Sequence, residues 1–384
     1  MYVQIDIIRL ILLKLTVEAL IRCQCVCKEW RSIIQHPDFK LSYRGPRRVL
    51  AAAASDSTLI FTSITDSLCI KTLFHLSKNR SFPPPLYRWW SGVWCSCNGL
   101  VLFSVRKHIL LWNPSTRCCT KVLELGRLSN TFPCDVVSGL CYVSSTGDYK
   151  AVLVFRNGCN GGDRTAMVAS LKNKEWRKMT FPYYIGCSTD NGVNFHNTLH
   201  WRVNDSKQIT FPWRCKNIIY FEAESDEFKE LPGPELCGLK SEVLGLGIVD
   251  GCLSMVHQGK ERGEKNVLVM KEYGVKKSWV RQFVISSASE LFSIEYSYIT
   301  LYSSKCNTKV LICSCLYGSW EILVYDVRNN KMDNYFLEYP KEGEGLCEAA
   351  TCSYVESVVS PHEFIWRDDQ HKPPENDIVL SVLK

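Results

Sequence analysis

A repeat of about 50 residues narrows the possible folds of this chain more than any other property. Five segments share one plan, which is a short apolar strand, a polar turn and a second strand. The residues that open the five second strands are Cys119, Trp176, Phe228, Trp279 and Met332, at successive intervals of 57, 52, 51 and 53 residues. Such a period indicates one structural unit that recurs along the chain.

Further hairpins lie between these segments and complete each unit. Asp250-Gly251 separates two apolar runs and is a strong signal for a two-residue turn. Thr58–Ser63 and Cys69–Phe74 form an earlier hairpin of the same kind. Four strands in each period of this length are typical of a propeller blade, so we expect a mainly β chain with a β-propeller. The length favours six blades; seven blades or an irregular β-sandwich are the alternatives.

Composition and charge exclude several classes of protein. Of the 384 residues, 46% are hydrophobic and 22% are charged, which is typical of a globular chain and not of a disordered one. The formal charge is +7, but residues 1–48 carry +5 of it and the remainder is almost neutral. A nucleic-acid-binding body is usually basic over a broad face, so we expect no nucleic-acid partner. No stretch resembles a membrane span or a signal peptide, and we expect a cytoplasmic and/or nuclear protein with reduced cysteines.

The first 45 residues follow a helical pattern instead. Ile8, Ile11, Leu12 and Leu15 recur at the spacing of one helix face. Thr16 is placed to cap a second helix, and Pro37 predicts that a third helix ends near Gln35 or His36. Three such short helices cannot bury their apolar side chains by themselves, so they pack either on the rest of the chain or on a partner.

These residues resemble the F-box of plant proteins. The matching segments are Asp6-Ile7-Ile8, Leu12, Leu15, Val17-Glu18-Ala19-Leu20, the run Arg22–Trp30, Ile33-Ile34 and Pro37-Asp38-Phe39. Most members open with Leu-Pro where this chain has Val3 and Gln4. The resemblance implies binding to a Skp-type adaptor, and through it to a cullin ubiquitin ligase. The adaptor-binding residues that we predict from the match and the apolar pattern are Ile8, Ile11, Leu12, Leu15, Leu20, Val26 and Trp30; Trp30 has an alternative role inside the helical segment.

The later part of the chain resembles the F-box-associated domain of the same proteins, a kelch-like interaction domain. The resemblance covers Cys95 to Leu337 and rests above all on Ser96-Cys97-Asn98-Gly99-Leu100 followed by Leu111–Thr116. We therefore expect an F-box over 1–45, a linker over 46–57, a propeller over 58–360 and a tail over 361–384. In that tail, Ile378–Leu383 offers a closing strand.

No motif for catalysis or for a cofactor stands out. Cys23, Cys25 and Cys27 suggest a metal site, but on a continuous helix Cys25 would point away from the other two. We therefore predict no metal, no cofactor and no catalytic residue, and we interpret the cysteines as packing side chains. Three hypotheses follow: a non-catalytic receptor that brings an unknown target protein to a ubiquitin ligase, an F-box protein that acts outside degradation, and a propeller enzyme. Target-binding residues stay unknown at this point.

Overall fold

The structure is a computed structural model, and it describes most of the chain. The described residues are 4–54, 58–65, 69–77, 95–105, 108–124, 136–155, 165–185, 192–204, 215–234, 242–259, 264–286, 298–304, 308–316, 319–329, 331–337 and 348–364. Within them, no helix is both long enough and apolar enough to cross a membrane. Four helices come first: α1 (Ile5–Leu12), α2 (Val17–Cys23), α3 (Lys28–Gln35) and α4 (Pro37–Ser42).

Twenty-four strands follow in the described part of the chain. They are β1 (Arg47–Ala54), β2 (Thr58–Ile64), β3 (Ile70–Ser77), β4 (Cys95–Cys97), β5 (Leu100–Val105), β6 (His108–Asn113), β7 (Cys118–Glu124), β8 (Val136–Val143), β9 (Asp148–Phe155), β10 (Thr165–Ser170), β11 (Glu175–Thr180), β12 (Val193–Phe195), β13 (Thr198–Val203), β14 (Asn217–Glu222), β15 (Glu227–Leu231), β16 (Val243–Val249), β17 (Cys252–Gln258), β18 (Glu264–Met270), β19 (Trp279–Ser286), β20 (Tyr298–Ser303), β21 (Lys309–Leu316), β22 (Ser319–Asp326), β23 (Lys331–Leu337) and β24 (Glu348–Val355). Together they form what we call the β-domain.

The strands confirm a mainly β chain with a propeller-like arrangement behind N-terminal helices. The first sheet has the order β24-β1-β2-β3, and the next three sheets are the consecutive meanders β4–β7, β8–β11 and β12–β15. The fifth sheet has eight strands, in the order β19-β18-β17-β16-β20-β21-β22-β23. The expected count of six blades is therefore not confirmed, because the described strands form four separate four-stranded sheets and one larger sheet.

The larger sheet consists of two four-stranded meanders that meet in parallel. β16 pairs with β20 through Gly247–Leu301 and Ile248–Tyr302. A Cβ atom on Gly245 would lie 1.8 Å from the Ile299 carbonyl oxygen, and one on Gly247 would lie 2.4 Å from that of Leu301. The two backbones can approach this closely because neither glycine carries a side chain.

The repeat in the sequence corresponds to the outer edge of the sheets. The five residues that we aligned lie in β7, β11, β15, β19 and β23, which are the last strands of their meanders. The first strands contact one another in space, since β4 contacts β8, β12 and β24, and β12 contacts β16. Apolar side chains fill the space between neighbouring sheets; one such core joins β4–β7 to β8–β11 and another joins β8–β11 to β12–β15.

The segment 46–57, which we expected to be a linker, contains a strand of the first sheet. β1 lies within the segment 46–57, and it pairs antiparallel with β2 over Val49–Ala54 and with β24 over Arg47–Ala54. The strand that closes the fold is therefore β24, which joins the end of the β-domain to its beginning. The predicted closing strand Ile378–Leu383 lies outside the described residues. Pairing across 300 residues leaves no local signal, which is why the sequence pattern missed β1.

The helical segment follows its predicted local signals with one addition. The Thr16 side chain accepts a hydrogen bond from the Ala19 N–H at 3.3 Å and caps α2, as expected. α3 ends at Gln35, also as expected, but α4 then starts at Pro37. Proline is well tolerated in the first turn of a helix, so Pro37 ends one helix and opens a fourth one that we had not predicted.

Residues 356–364, which we call the connecting segment, fasten the helices to the β-domain. The Glu356 backbone pairs with the linker between helices and strands, since its N–H donates to the Pro46 oxygen and its oxygen accepts from the Gly45 N–H. Val358 belongs to the apolar core of the four helices. Phe364 packs instead in the core between β4–β7 and β8–β11. One short segment therefore contributes to two cores and holds them together.

The connecting segment contacts both motifs on which the resemblance to the F-box-associated domain rests. These motifs are Ser96–Leu100 and Leu111–Thr116. Asn113 is fully buried, and its Nδ2 donates to the oxygens of Ser357 at 3.0 Å and Val359 at 2.8 Å. The same side chain accepts a hydrogen bond from the Ser115 N–H through Oδ1 at 2.9 Å. Gly99 has a φ of +83° and lies against Ser357. Asn113 therefore both stabilises the turn that follows β6 and anchors the connecting segment.

We expect Gly99→Ala to lower the free energy of unfolding by more than about 3 kcal/mol, as measured by urea denaturation. A Cβ atom there would lie 2.2 Å from Ser357 Oγ and 2.6 Å from the Val355 oxygen. Gly251→Ala is the matched control, because Gly251 also has a positive φ of +68° but no atom within 4 Å of its Cβ position. In the control, the free energy of unfolding should fall by about 1 to 2 kcal/mol, which is the cost of backbone strain alone. Equal losses in the two variants would contradict a close contact with the connecting segment.

Candidate functional site

Exposed apolar side chains concentrate on the first two helices. Nine large apolar residues are exposed in the described part of the chain, and six of them lie within the first 26 residues. These six residues, which we call the apolar patch, are Ile5, Ile7, Leu10, Ile11, Ile21 and Val26. A cluster of this kind on a folded surface usually marks a site of interaction with another protein.

The geometry of α1 explains which side chains face outward. Residues three and four apart share a helix face, so Ile7 groups with Leu10 and Ile11. Ile8 and Leu12 form the opposite pair and pack in the core of the four helices. Leu10 is 61% exposed, whereas Leu12 is fully buried. The helix is thus apolar on two faces, and the described part of the chain covers only one of them.

The predicted adaptor-binding residues divide into three groups in the structure. Ile11 and Val26 are exposed, as a contact surface requires. Ile8, Leu15 and Trp30 are half-buried against the helical core. Leu12 and Leu20 are 0% exposed, so they can support the surface from below but cannot contact a partner. We therefore revise the candidate site by removing these two residues from its surface.

The pattern missed four members of the apolar patch. They are Ile5, Ile7, Leu10 and Ile21. The signal was present in α1, because apolar residues at positions 7 and 10 widen its apolar face beyond one stripe. The pattern cannot say which of two apolar faces the rest of the chain covers. That choice depends on α3, α4 and the connecting segment, which lie far away in sequence.

Three arginines of the helical segment form hydrogen bonds to neutral groups. Arg9 donates to Ser42 Oγ, Arg22 to the Glu18 backbone oxygen and Arg31 to the Gln24 backbone oxygen. Because all three acceptors are neutral, these hydrogen bonds do not offset the positive charges. Lys40 differs, because its Nζ lies 2.5 Å from a Glu363 carboxylate oxygen in the connecting segment. A partner of this surface is therefore expected to be acidic.

The cysteines of the helical segment are not held as a metal site. α2 ends at Cys23, so no continuous helix runs through Cys25 and Cys27, contrary to the sequence interpretation. Cys27 caps α3 instead, and its Sγ accepts a hydrogen bond from the Trp30 N–H at 3.4 Å. No group of three or more metal-ligating side chains occurs in the described residues. In the β-domain, burial raises the pKa of Cys95 and Cys97 to about 12, which keeps these side chains as unreactive thiols.

The other exposed apolar side chains lie at one place on the β-domain. Tyr273 and Val275 belong to the loop between β18 and β19, and Val280 follows in β19. The Tyr273 hydroxyl lies 2.8 Å from His200 Nε2, and His200 Nδ1 lies 3.3 Å from the Val193 oxygen. A neutral imidazole satisfies both contacts, since it donates to the carbonyl and accepts from the hydroxyl. His200 therefore holds the loop in place.

This arrangement predicts an acid-sensitive fold. Burial lowers the pKa of His200 to about 4, below its ordinary value of 6.5, so the unfolded chain binds the proton more readily. The stability that neutral His200 contributes is present above pH 6.5 and is lost as the pH falls from 6.5 toward 4. Between pH 7.5 and pH 5, we expect wild type to lose about 2 kcal/mol more unfolding free energy than His200→Gln does. Parallel curves for the two proteins in urea titrations at both pH values would contradict this assignment.

Two family profiles match the chain along most of its length. The profile of the F-box domain matches residues 5–42, which are the four helices. The profile of the F-box associated beta propeller domain matches residues 59–361, from β2 to the connecting segment. The order of the two matches agrees with the resemblance found in the sequence.

Several curated plant F-box proteins are similar to this chain in sequence. An F-box/kelch-repeat protein of Arabidopsis thaliana is 32% identical over 293 residues, which are 73% of this chain and 78% of the relative. An F-box protein of the same plant is 28% identical over 92% of both chains, and the F-box protein CPR1 is 27% identical over 86% of this chain and 83% of its own. The chain therefore belongs to the plant F-box proteins that carry an F-box-associated β-propeller domain.

Proposed function

We propose that this chain is the substrate-recognition subunit of an SCF-type ubiquitin ligase. The observation that carries the proposal is the apolar patch, which the other described residues leave exposed on a segment that matches the F-box domain. Burying a fully exposed Ile or Leu side chain contributes about 1.5 to 3 kcal/mol, so several together suffice for a stable complex. The partner is a Skp-type adaptor, which links the chain to a cullin.

The charge of the helical segment supports the same partner. Residues 1–48 carry a net charge of +5, and three arginines of the helical segment donate to neutral acceptors. An acidic adaptor surface would gain from this field, mainly in the rate of association and in orientation. Ile11 and Val26 stay in the proposed interface, and Ile5, Ile7, Leu10 and Ile21 join it.

The helices are packed firmly against the β-domain, which suits a receptor that holds its target close to a ubiquitin-charged enzyme. The connecting segment contributes side chains to both cores, and Lys40 pairs with Glu363 across the junction. A target held on the β-domain would therefore stay at a defined distance from the adaptor. In such a complex the lysines of the target meet the ubiquitin-charged enzyme at a raised effective concentration. This chain itself needs no catalytic residue.

The test is co-purification of the full chain from plant cells with the proteasome blocked. We expect a Skp-type adaptor and a cullin in the complex, together with ubiquitin-modified target proteins. Adaptor without cullin would support the alternative, an F-box protein that acts outside degradation in the cytoplasm or nucleus. Absence of the adaptor would overturn the proposal.

A further inference from the structure

The β-domain contains a cavity of about 380 Å³ where its axis meets the linker from the helices. Its wall includes the β4–β5 turn at Asn98, the β12–β13 turn at His196 and Asn197, and the end of β24. Arg44, from the linker between α4 and β1, and Arg47, the first residue of β1, also line the cavity. Ile248 and Gly251 of the eight-stranded sheet line it as well, so the cavity lies where four sheets meet the linker from the helical segment. Its size suits a small ligand or a single side chain.

Arg44 and Arg47 each bring a positive charge to the cavity. Neither of them forms an ion pair with a described acidic residue. Arg44 donates to the Tyr43 oxygen at 3.0 Å and to Asn98 Oδ1 at 3.3 Å, both of which are neutral. Arg47 is half-buried, and burial lowers its pKa without any opposing contribution from a carboxylate. The neighbouring Arg48 shows the contrast, since it forms an ion pair with Glu356. No acidic residue is among the described residues that line the cavity.

The side-chain amides of the lining are already engaged among the described residues. Asn98 Nδ2 donates to the Tyr149 hydroxyl at 3.2 Å, and Asn194 Nδ2 donates to the Leu140 oxygen at 2.8 Å. Asn98 Oδ1 is occupied by Arg44, and Asn194 Oδ1 accepts from the Asn197 N–H at 3.2 Å. Tyr354 shares its hydroxyl with Ser63 at 3.1 Å. The exposed ring of His196 stacks on Phe195, with the ring centroids 4.0 Å apart. A ligand in this cavity thus meets the positive charge of the two guanidinium groups, and it must supply acceptors and negative charge.

We propose that this cavity is a binding site for a phosphate group, held by the guanidinium groups of Arg44 and Arg47 with His196 at the rim. A guanidinium group presents a planar fork of donors that matches two phosphate oxygens. Two arginines carry +2, which balances the charge of −1.5 to −2 of a phosphate monoester at neutral pH. A single carboxylate would leave one of the two charges unbalanced. The ligand is therefore a phosphate, either on a small molecule or on a phosphorylated residue of a bound protein.

Isothermal titration calorimetry of the full chain with inorganic pyrophosphate tests the site. We expect one-to-one binding, which Arg44→Gln with Arg47→Gln weakens at least tenfold. Arg117→Gln with Arg328→Gln is the matched control, because both residues lie exposed in turns before the last strands of their meanders. The control should bind as wild type does. His196→Glu, on the exposed rim, is a second variant that places a negative charge at the mouth, and it should also weaken binding about tenfold.

A peptide with one phosphoserine distinguishes the two sources of phosphate. Binding of the peptide tighter than that of pyrophosphate, with displacement by pyrophosphate, would assign the site to phosphorylated target proteins. Tighter binding of pyrophosphate would assign it to a small-molecule phosphate. Failure of wild type to bind either probe would overturn the proposal. So would equal affinities for wild type and for both cavity variants when circular dichroism shows that all of them are folded.

Discussion

Replacing Ile7 and Ile11 together by aspartate is expected to abolish co-purification of a Skp-type adaptor. Both side chains are exposed on the outward face of α1, so the change removes two apolar contacts and places two negative charges in the interface. Central apolar contacts contribute about 2 kcal/mol or more each, so the affinity should fall by more than 100-fold. The measurement is the dissociation constant of the purified complex, with co-elution in size-exclusion chromatography as a first check.

Two controls separate loss of contact from loss of folding. Val280→Asp alters another exposed apolar side chain, which lies in β19 of the β-domain, and it should leave adaptor binding unchanged. Leu12→Ala acts inside the helical core, where Leu12 is fully buried, and it should lower stability by about 2 to 5 kcal/mol. Full adaptor binding by a folded Ile7→Asp, Ile11→Asp variant would show that the apolar patch serves another partner.

Asn113→Leu should be the most destabilising single change in the β-domain that we can name. Leucine is similar in size but offers no hydrogen bonds, so the oxygens of Ser357 and Val359 would lose their Asn113 donor in a buried place. The Ser115 N–H would lose its Asn113 acceptor as well. Removal of one partner from a buried network costs far more than a surface hydrogen bond, and we expect a loss of about 3 to 5 kcal/mol in the free energy of unfolding.

The same variant should loosen the helical segment from the β-domain. Limited proteolysis measures this effect, because the linker near Pro46 becomes accessible when the connecting segment detaches. Asn173→Leu provides the control, since Asn173 is an exposed asparagine of the β10–β11 turn, which is equivalent to the turn after Asn113. It should change stability by less than about 0.5 kcal/mol. Similar cleavage rates for Asn113→Leu and wild type would refute the anchoring role of Asn113.

Local signals predicted the secondary structure well. The polar turns between apolar runs mark the last two strands of five meanders, and Asp250-Gly251 forms the turn between β16 and β17. Thr16 caps α2 as its side chain chemistry requires. These features depend on residues within a few positions of one another. The number of blades is different, because the pairing of β16 with β20 joins two meanders into one sheet through contacts that lie about 54 positions apart.

The segment that carries the candidate site could be predicted from the sequence, but the residues that are exposed on that segment could not. The F-box resemblance and the apolar spacing both point to α1 and α2, yet they assign Leu12 and Leu20 to the interface and miss Ile7 and Leu10. Side chains of equal hydrophobicity occur on both faces of α1, so hydrophobicity cannot distinguish them. The distinction arises only when α3, α4 and Val358 cover one face.

The alternation of strands and turns, the helical character of the first 45 residues and the family of the chain follow from the amino-acid sequence, because short-range chemistry and characteristic motifs encode them. Three other features arise only in the folded chain: β24 completes the first sheet with β1, Asn113 and Gly99 hold the connecting segment, and Arg44 and Arg47 line one cavity. Each of these contacts joins residues that are distant in sequence or depends on which surface remains uncovered. The packing of the whole chain is what brings such residues together.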